Sequence, residues 1–276
     1  MTALPRLEAR VRSYGATDAL VALSGGVDSS VVLAVAARSL GPSRVMAVTA
    51  VSPSYASGEL ETAQAVASFV GVGHRVVETG EVEQPAYARN DALRCYQCKT
   101  ELYTTMARLA DLCDGPDMAM LAGANADDRE DFRPGLRAAR QFGVRNPLLE
   151  EGLGKPEVRA VARHLELPVA EKPQLACLSS RVAFGIAITP ELLARIDRAE
   201  RAVKALGFDQ VRVRRFGARA TIEVPGPDVG KLTADPRLSF LLRDLRSMGW
   251  VEVAVDPNGY RAGAMNDTLL QLSRKP

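Results

Sequence analysis

The sequence has little of several features that mark particular classes of protein. Its 276 residues include two histidines, one tryptophan and four cysteines, and aromatic residues make up only 5%. No apolar run reaches the roughly 18 residues that span a bilayer, and the first residues lack the basic and apolar regions of a secretory signal. The net charge of +2 is too small to indicate nucleic-acid binding. We therefore expect a cytoplasmic protein with no membrane and no nucleic-acid partner.

The chain does have enough apolar sequence to build cores. Hydrophobic residues make up 47% and are regularly spaced, which excludes disorder over most of the chain. The charge is uneven, because residues 181–276 hold 16 Lys and Arg against 11 Asp and Glu. This excess of positive charge fits either an anionic ligand or a solvated surface.

The first part of the sequence alternates strand and helix patterns. Short apolar runs predict buried strands at 19–23, 44–51, 74–78 and 118–123. Apolar residues at helical spacing predict helices at 31–40, 59–70, 102–113 and 156–165. Strands that alternate with helices form right-handed βαβ units, so we expect an α/β fold with a parallel sheet and helices on both faces.

The pattern changes after Pro168. Thr189 and Pro190 are suited to the N-cap and first position of a helix that ends at Gly207. After that helix we predict a hairpin, an interrupted helix and a closing strand, at 210–216 with 220–224, at 229–248 and at 250–255. We therefore predict two domains, residues 1–180 and a small α+β domain at 181–276.

Residues 24–30, Ser-Gly-Gly-Val-Asp-Ser-Ser, lie where a predicted strand gives way to a helix. Gly25 and Gly26 let the backbone turn tightly, and N–H groups at the start of a helix suit a phosphate. The Asp28 carboxylate can hold Mg²⁺. Further hydrogen-bond donors are the hydroxyls of Ser24, Ser29 and Ser30. No lysine follows the last glycine, which excludes a Walker loop, and a glycine turn with no ligand is the alternative.

A second segment, Gly123-Ala124-Asn125-Ala126-Asp127-Asp128, follows the predicted fourth strand, where parallel sheets bind ligands. Both segments resemble the PP-loop ATP pyrophosphatases, which cleave ATP between the α- and β-phosphates, although Ala124 replaces the usual threonine. The resemblance implies that Gly123 lies near the nucleotide and that Asp127 is a second Mg²⁺ ligand. Thr49 is a candidate adenine contact. Without the resemblance, Asp127 fits an ordinary acidic turn.

Two cysteines, Cys95 and Cys98, form a Cys-Tyr-Gln-Cys motif. Such a pair fits zinc, redox and iron–sulfur sites alike, and the chain has no second pair that would complete a zinc site. In a reducing compartment, cysteines act as ligands, nucleophiles or core residues before they form disulfides. Cys113 ends an apolar helix face and is predicted to be a core residue.

Cys177 lies in an aperiodic segment between the two predicted domains. Nearby cations such as Lys172 or Arg181 would favour its thiolate, which would make it a nucleophile or ligand. An inert buried cysteine fits the sequence equally well.

Longer segments resemble the LarE family, the ATP-dependent sulfur transferases that make the nickel-pincer nucleotide cofactor of lactate racemase. The most specific are residues 94–102, Arg-Cys-Tyr-Gln-Cys-Lys-Thr-Glu-Leu, and residues 176–181, Ala-Cys-Leu-Ser-Ser-Arg. Further matches lie at 124–128, 133–135, 210–214, 222–224 and 259–261. The resemblance implies that ATP adenylates the carboxylates of pyridinium-3,5-dicarboxylic acid mononucleotide and that sulfur displaces AMP to give thiocarboxylates. It also implies a homo-oligomer, in this family a hexamer.

The family resemblance implies two routes for the sulfur. In one, Cys177 attacks the acyl adenylate and gives up its own sulfur, leaving dehydroalanine. In the other, Cys95, Cys98 and Cys177 hold a [4Fe-4S] cluster with one open iron that binds an added sulfide. Because all three cysteines are present, we favour the cluster, and sacrifice of Cys177 is the alternative.

Arg212 and Arg214 match the family's phosphate-binding pair. Residues two apart share one face of a strand, and guanidinium groups suit phosphate. Two solvent-facing arginines are the alternative. Glu200 matches a family acidic residue near the active site, or it is an exposed ion-pair partner.

Three other functions share part of this pattern. A tRNA-thiolating PP-loop enzyme needs a broad basic surface or an RNA-binding module, and neither is evident. An amidotransferase-type synthetase such as NAD synthetase takes ammonia and needs no set of three cysteines. A nucleotide or cluster carrier would release no pyrophosphate.

Overall fold

The computed structural model describes residues 3–112, 117–129, 134–174 and 176–261. Cys113, predicted as a core residue, and Arg133, part of a family match, lie outside these residues. The chain divides into two compact units. The first comprises residues 1–52, 57–81 and 95–175, and the second comprises residues 53–56, 82–94 and 176–276.

The first unit is built on a four-stranded parallel sheet. Its strands are β1 (Asp18–Ala22), β2 (Val45–Val51), β3 (Gly73–Glu78) and β4 (Met118–Leu121), in the order β3-β2-β1-β4. Leu20 of β1 pairs in register with Met46 on one side and Met120 on the other. The chain order reverses between β1 and β4, and such a switch point is where parallel sheets bind their ligands.

Helices cover both faces of this sheet. They are α1 (Ala3–Arg12), α2 (Val27–Leu40), α3 (Glu59–Val70), α5 (Arg94–Asp111), α6 (Pro134–Gln141), α7 (Pro147–Glu150) and α8 (Lys155–His164), while the short α4 (Pro85–Ala88) belongs to the second unit. Side chains alternate across the sheet, so Val21 packs in one apolar cluster with α1, α2 and α8, and Leu20 packs in another with α5 and α6. The expected α/β class with a parallel, doubly covered sheet is confirmed.

Helix α2 is the most deeply buried helix of this unit. Val31, Val32, Leu33 and Val35 are all at most 1% exposed, although they point to different sides of the helix. A helix that is apolar all round is stable only when it is covered all round. Residues 24–30, which we call the phosphate loop, therefore lead directly into the most deeply buried helix of this unit.

The second unit carries a three-stranded sheet in the order β5-β6-β7. The strands β5 (Arg212–Phe216) and β6 (Arg219–Glu223) form the predicted antiparallel hairpin, and β7 (Glu252–Val255) runs parallel to β6. Three helices accompany it, α9 (Pro190–Lys204), α10 (Gly226–Ala234) and α11 (Leu238–Ser247). The break between α10 and α11 lies at Asp235-Pro236, as predicted, because proline cannot continue the preceding helix.

Two predicted helices begin earlier than the apolar spacing indicated. Helix α2 begins at Val27 and not at residue 31, so Asp28 lies in its first turn. Helix α5 begins at Arg94 and not at residue 102, so the Cys95–Cys98 pair also lies in a first helical turn. Polar first turns carry no apolar periodicity, which is why the pattern missed them.

The last segment of the second unit begins at Ala176, five residues before the expected start at residue 181, and the unit also includes residues 53–56 and 82–94, which the sequence pattern assigned to the first domain. Hydrogen bonds explain the reassignment. The N–H of Leu178 donates to the carbonyl of Ser54, and the Tyr87 hydroxyl lies 2.7 Å from the Ser179 hydroxyl. No helix among the described residues is long and apolar enough to cross a membrane.

Thr189 caps helix α9 as predicted, because its hydroxyl oxygen accepts a hydrogen bond from the Leu192 N–H at 3.2 Å. Thr189→Ala removes that acceptor, and we expect it to lower the free energy of unfolding by about 1 kcal/mol. Urea unfolding followed by circular dichroism measures the change. Thr189→Ser keeps the hydroxyl and serves as the control, so equal losses in the two variants would contradict the capping role.

Candidate active site

The phosphate loop links the end of β1 to the first turn of α2. Gly25 has φ +76, and a Cβ there would lie 3.0 Å from the carbonyl oxygen of Glu59, so only glycine fits. The hydroxyls of Ser29 and Ser30 both donate to the Gly26 carbonyl, at 3.1 and 2.8 Å. The predicted donor hydroxyls therefore hold the loop in shape, and the N–H groups at the start of α2 remain the natural partners for an anion.

Gly123 lies directly against this loop. A Cβ on Gly123 would be 2.7 Å from the backbone nitrogen of Ser29 and 2.9 Å from the carbonyl carbon of Asp28. No side chain fits in that space without moving backbone. The segment after β4 thus meets the first turn of α2, as expected for two segments at one switch point.

A lysine joins the two carboxylates that the sequence proposed as Mg²⁺ ligands. The Lys155 ammonium donates to Asp28 Oδ2, and the Lys155 backbone N–H donates to Asp127 Oδ2 at 3.0 Å. Asp28 and Asp127 are therefore brought together, although they are far apart in sequence. Our sequence interpretation missed Lys155. The sequence did hold a signal for it, because the helix dipole disfavours a cation at the start of a helix, and a lysine there suggests a specific role.

The donor set fits a magnesium ion. Asp28 Oδ1 is buried and has no hydrogen-bond partner within the part of the chain that the structure describes. Buried polar atoms are normally paired, so an unpaired carboxylate oxygen is suited to a ligand. Mg²⁺ is typically held by one or two carboxylates together with substrate phosphates.

Two other candidates near the phosphate loop are engaged in different contacts. Thr49 is fully buried, and its hydroxyl donates to the Leu23 carbonyl at 2.7 Å and lies 2.8 Å from His74 Nε2. Burial lowers the pKa of His74 from its ordinary value. The Lys172 ammonium, considered above as a partner of Cys177, donates to the carbonyl of Gly25 and to Glu59.

Cys95 and Cys98 lie three residues apart in the first turn of α5, where such residues share a face. Cys95 is exposed and Cys98 is partly buried. Cys177 is also partly buried and belongs to the second unit. Within the described ranges, no group of three or more His, Cys, Asp and Glu side chains is arranged to hold a metal ion.

Cys177 directly precedes a 3₁₀ turn at Leu178–Arg181 that is held by a buried guanidinium. Arg181 is 1% exposed and donates to the carbonyls of Ala176 and Cys177. It also forms a two-bond ion pair with Glu200, at 2.8 and 3.1 Å. Glu200 itself is buried and accepts from the Val213 N–H, so the interpretation of Glu200 as an exposed ion-pair partner is wrong.

Arg212 and Arg214 are also buried, at 3% and 5% exposure, so the interpretation as solvent-facing arginines is wrong too. Arg214 donates to Glu223 at 2.7 Å and to the Ser180 carbonyl at 3.2 Å. Arg212 lies over the Tyr260 ring, 5.4 Å from its centroid. Burial lowers the pKa of Arg212 to about 10, with nearby Arg181 adding to the effect, and the group stays a cation at neutral pH.

The Cys177 turn therefore carries a cluster of buried charges, which we call the arginine cluster. It consists of Arg181, Arg212 and Arg214 with the carboxylates Glu200 and Glu223. Burial raises the pKa of Glu223, and Arg214 opposes that shift. Three guanidinium groups against two carboxylates leave one positive charge when all are ionised, which suits an anionic ligand group.

The chain is similar to several known proteins. The model of the asparagine synthase family matches residues 9–108. A Synechocystis protein described only as uncharacterized is 43% identical over 96% of this chain and 98% of its own. An NH(3)-dependent NAD(+) synthetase from Chlorobaculum tepidum is 26% identical over 86% of this chain and 90% of its own.

A further relative is more informative. The pyridinium-3,5-bisthiocarboxylic acid mononucleotide synthase of Lactiplantibacillus plantarum is 34% identical over 90% of this chain and 89% of its own. At 90% coverage, the similarity extends over most of both units. The chain is therefore an ATP-dependent enzyme of the PP-loop type, and it belongs to the LarE family.

Proposed function

We propose that this enzyme uses ATP to convert the carboxylates of pyridinium-3,5-dicarboxylic acid mononucleotide into thiocarboxylates for the nickel-pincer cofactor. One observation on this chain supports the proposal in addition to its family membership. Ser180, three residues after Cys177, accepts hydrogen bonds from Arg214 at its carbonyl and from Arg181 at its hydroxyl. A candidate nucleophile and cations suited to a substrate phosphate thus belong to one hydrogen-bonded cluster.

The first step is adenylation. A carboxylate oxygen of the substrate attacks the α-phosphorus of ATP, the bond to the β-phosphate oxygen breaks, and pyrophosphate leaves. The start of α2 and the backbone at Gly123 bind the phosphates, while Asp28 and Asp127 hold Mg²⁺, which neutralises charge on the phosphate oxygens when it is bound. Lys155, already placed between these carboxylates, supplies a further cation for pyrophosphate. Thr49 remains a candidate for the adenine side, through its backbone.

The second step transfers sulfur. A sulfur nucleophile attacks the acyl carbon, and AMP leaves with the electron pair of the broken C–O bond. In the route we favour, Cys95, Cys98 and Cys177 are three thiolate ligands, and a [4Fe-4S] cluster on them would supply an open iron for sulfide. In the alternative, the Cys177 thiolate attacks directly, and elimination across its Cα–Cβ bond then releases the thiocarboxylate and leaves dehydroalanine.

The second unit is proposed to bind the substrate. The phosphate of the mononucleotide needs buried or half-buried cations, and Arg212 and Arg214 offer two guanidinium groups. We also propose that the enzyme is a homo-oligomer, a hexamer as implied by the family, which its mass in solution will test.

Gly123→Ala tests the ATP site. A Cβ at this position displaces the first turn of α2, so we expect ATP-dependent pyrophosphate release to fall about tenfold or more. Gly73→Ala is the matched control, because a Cβ on Gly73 meets nothing within 4 Å and its backbone is ordinary for alanine. Equal activity in the two variants would contradict the close approach at Gly123.

A second experiment tests the reaction and the source of sulfur. Anaerobic protein reconstituted with iron and sulfide is given ATP, Mg²⁺ and the dicarboxylate mononucleotide, and mass spectrometry follows product and protein. We expect thiocarboxylate with several turnovers per chain, and Cys95→Ser should abolish turnover beyond the first.

The other outcomes are distinct. A single turnover with loss of H₂S from Cys177 would favour the sacrificial route. An amide formed from added ammonia would favour a synthetase like the NAD(+) synthetase relative. No pyrophosphate in the presence of the substrate would contradict the proposed enzyme altogether.

A third experiment tests the arginine cluster. Arg212→Lys keeps a positive charge but loses the planar fork, and we expect KM for the mononucleotide to rise about tenfold with a smaller change in kcat. Arg198→Lys, on the exposed face of α9, is the control. An unchanged KM would contradict a phosphate contact by Arg212.

A further inference from the structure

A buried asparagine connects residues 82–94 to the segment after Cys177. Asn90 is 0% exposed, and its side-chain nitrogen lies 2.9 Å from the Ala183 carbonyl, 3.0 Å from that of Ile186 and 3.3 Å from that of Val182. Its own carbonyl accepts from the Gly185 N–H. This single residue therefore fixes the backbone of residues 182–186.

The backbone of Asn90 is in the left-handed region, with φ +54. Glycine adopts that conformation at lower cost, so what asparagine adds at this position is its side chain. Such backbone conformations persist where the surroundings enforce them, and they concentrate at functional sites. The observed contacts of the amide are a direct reason for the asparagine.

Arg94 extends the same network to the Cys177 turn. Its guanidinium donates to Asn90 Oδ1 and, at 3.0 Å, to the carbonyl of Ser179, and it lies 5.3 Å from the centroid of the Phe184 ring. Arg94 is 6% exposed. Ser179 is two residues after Cys177, and Arg94 directly precedes Cys95 in the chain. The two sequence segments that resemble the LarE family most specifically are thus joined by this hydrogen bond.

The segment from Cys177 to residue 188 has only one short helical turn and no strand of its own. Its backbone therefore depends on bonds from other parts of the chain for its position. We propose that Asn90 and Arg94 are positioning residues for Cys177, fixing the turn at Leu178–Arg181 so that the cysteine sulfur is held for attack or ligation. This role in sulfur transfer rests on the proposed function, whereas the effect on the Cys177 thiol does not.

The test uses Asn90→Gly and Arg94→Lys in the full-length protein. Asn90→Gly removes the amide while relieving the left-handed backbone, so it separates the hydrogen bonds from strain. Arg94→Lys keeps the charge and loses the geometry that reaches two acceptors. Arg89→Ala, in the same segment with a side chain 68% exposed, is the matched control.

Two readouts distinguish positioning from general stability. Alkylation of Cys177 by iodoacetamide, followed at the peptide level, should become about threefold faster or more in both variants. The reason is that a turn with fewer hydrogen bonds exposes the half-buried Cys177 thiol to the reagent more often. Thiocarboxylate formation should fall about tenfold or more while pyrophosphate release stays within about twofold, since a displaced reacting group costs the step it serves. Arg89→Ala should match the unaltered protein in both assays.

Unchanged Cys177 alkylation in both variants would overturn the proposal, and so would parallel loss of pyrophosphate release and thiocarboxylate, which is the mark of a structural role. If Arg94→Lys does not fold, Asn90→Gly alone decides. If the unaltered protein makes no thiocarboxylate, the proposed function is wrong, and the alkylation rates still decide whether Asn90 and Arg94 position Cys177.

Discussion

The contact between Gly123 and the first turn of α2 is the constraint on which the candidate ATP site depends. Only a residue without a side chain lets the segment after β4 lie so close to the backbone at Ser29, because a Cβ on Gly123 would be 2.7 Å from the Ser29 nitrogen. That approach places Asp127 on the same side as Asp28, and Lys155 then joins the two carboxylates. The distance between the Gly123 backbone and the first turn of α2 therefore determines the geometry of the site. Because α2 is deeply buried in a close-packed core, that distance stays fixed.

In the second unit, the charged side chains near the candidate site are buried. The three arginines of the arginine cluster are buried, and the carboxylates Glu200 and Glu223, paired with Arg181 and Arg214, offset much of the cost of removing these charges from water. A buried ion pair adds little net stability, and its geometry is the more useful property. Here the geometry holds guanidinium groups close to the turn that follows Cys177, where the proposed function requires both an anionic substrate group and a sulfur nucleophile.

Much of this was predictable from the sequence, for identifiable reasons. Apolar runs and helical spacing indicated the sheet, α3 and the hairpin, because burial imposes the periodicity from which they are recognised. The tight turn between β1 and α2 was predictable because Gly25 permits a positive φ that other residues rarely adopt. Thr189 was predictable because an N-cap depends on local chemistry alone.

What the sequence did not indicate depends on contacts between distant residues. The polar first turn of α5 carries no apolar pattern, so the helical placement of Cys95 was missed. Burial of Glu200 and Arg214 could not be read from charged residues on an apparently ordinary helix and strand. Asn90 and Arg94 act through partners far away along the chain, and no local signal distinguishes them from surface residues, whereas Lys155 had only the weak signal of a cation at the start of a helix.

The division of the chain has one more consequence. The polypeptide passes between its two units five times, because residues 53–56 and 82–94 belong to the unit that otherwise begins at Ala176. A gene fragment that encodes only the carboxyl-terminal third would lack Tyr87, Asn90 and Arg94, and would leave the backbone around Ser179 and Ala183 without its hydrogen-bond partners. The second unit is therefore discontinuous in sequence, and a cut in the gene at residue 176 does not release it with all of its hydrogen-bond partners.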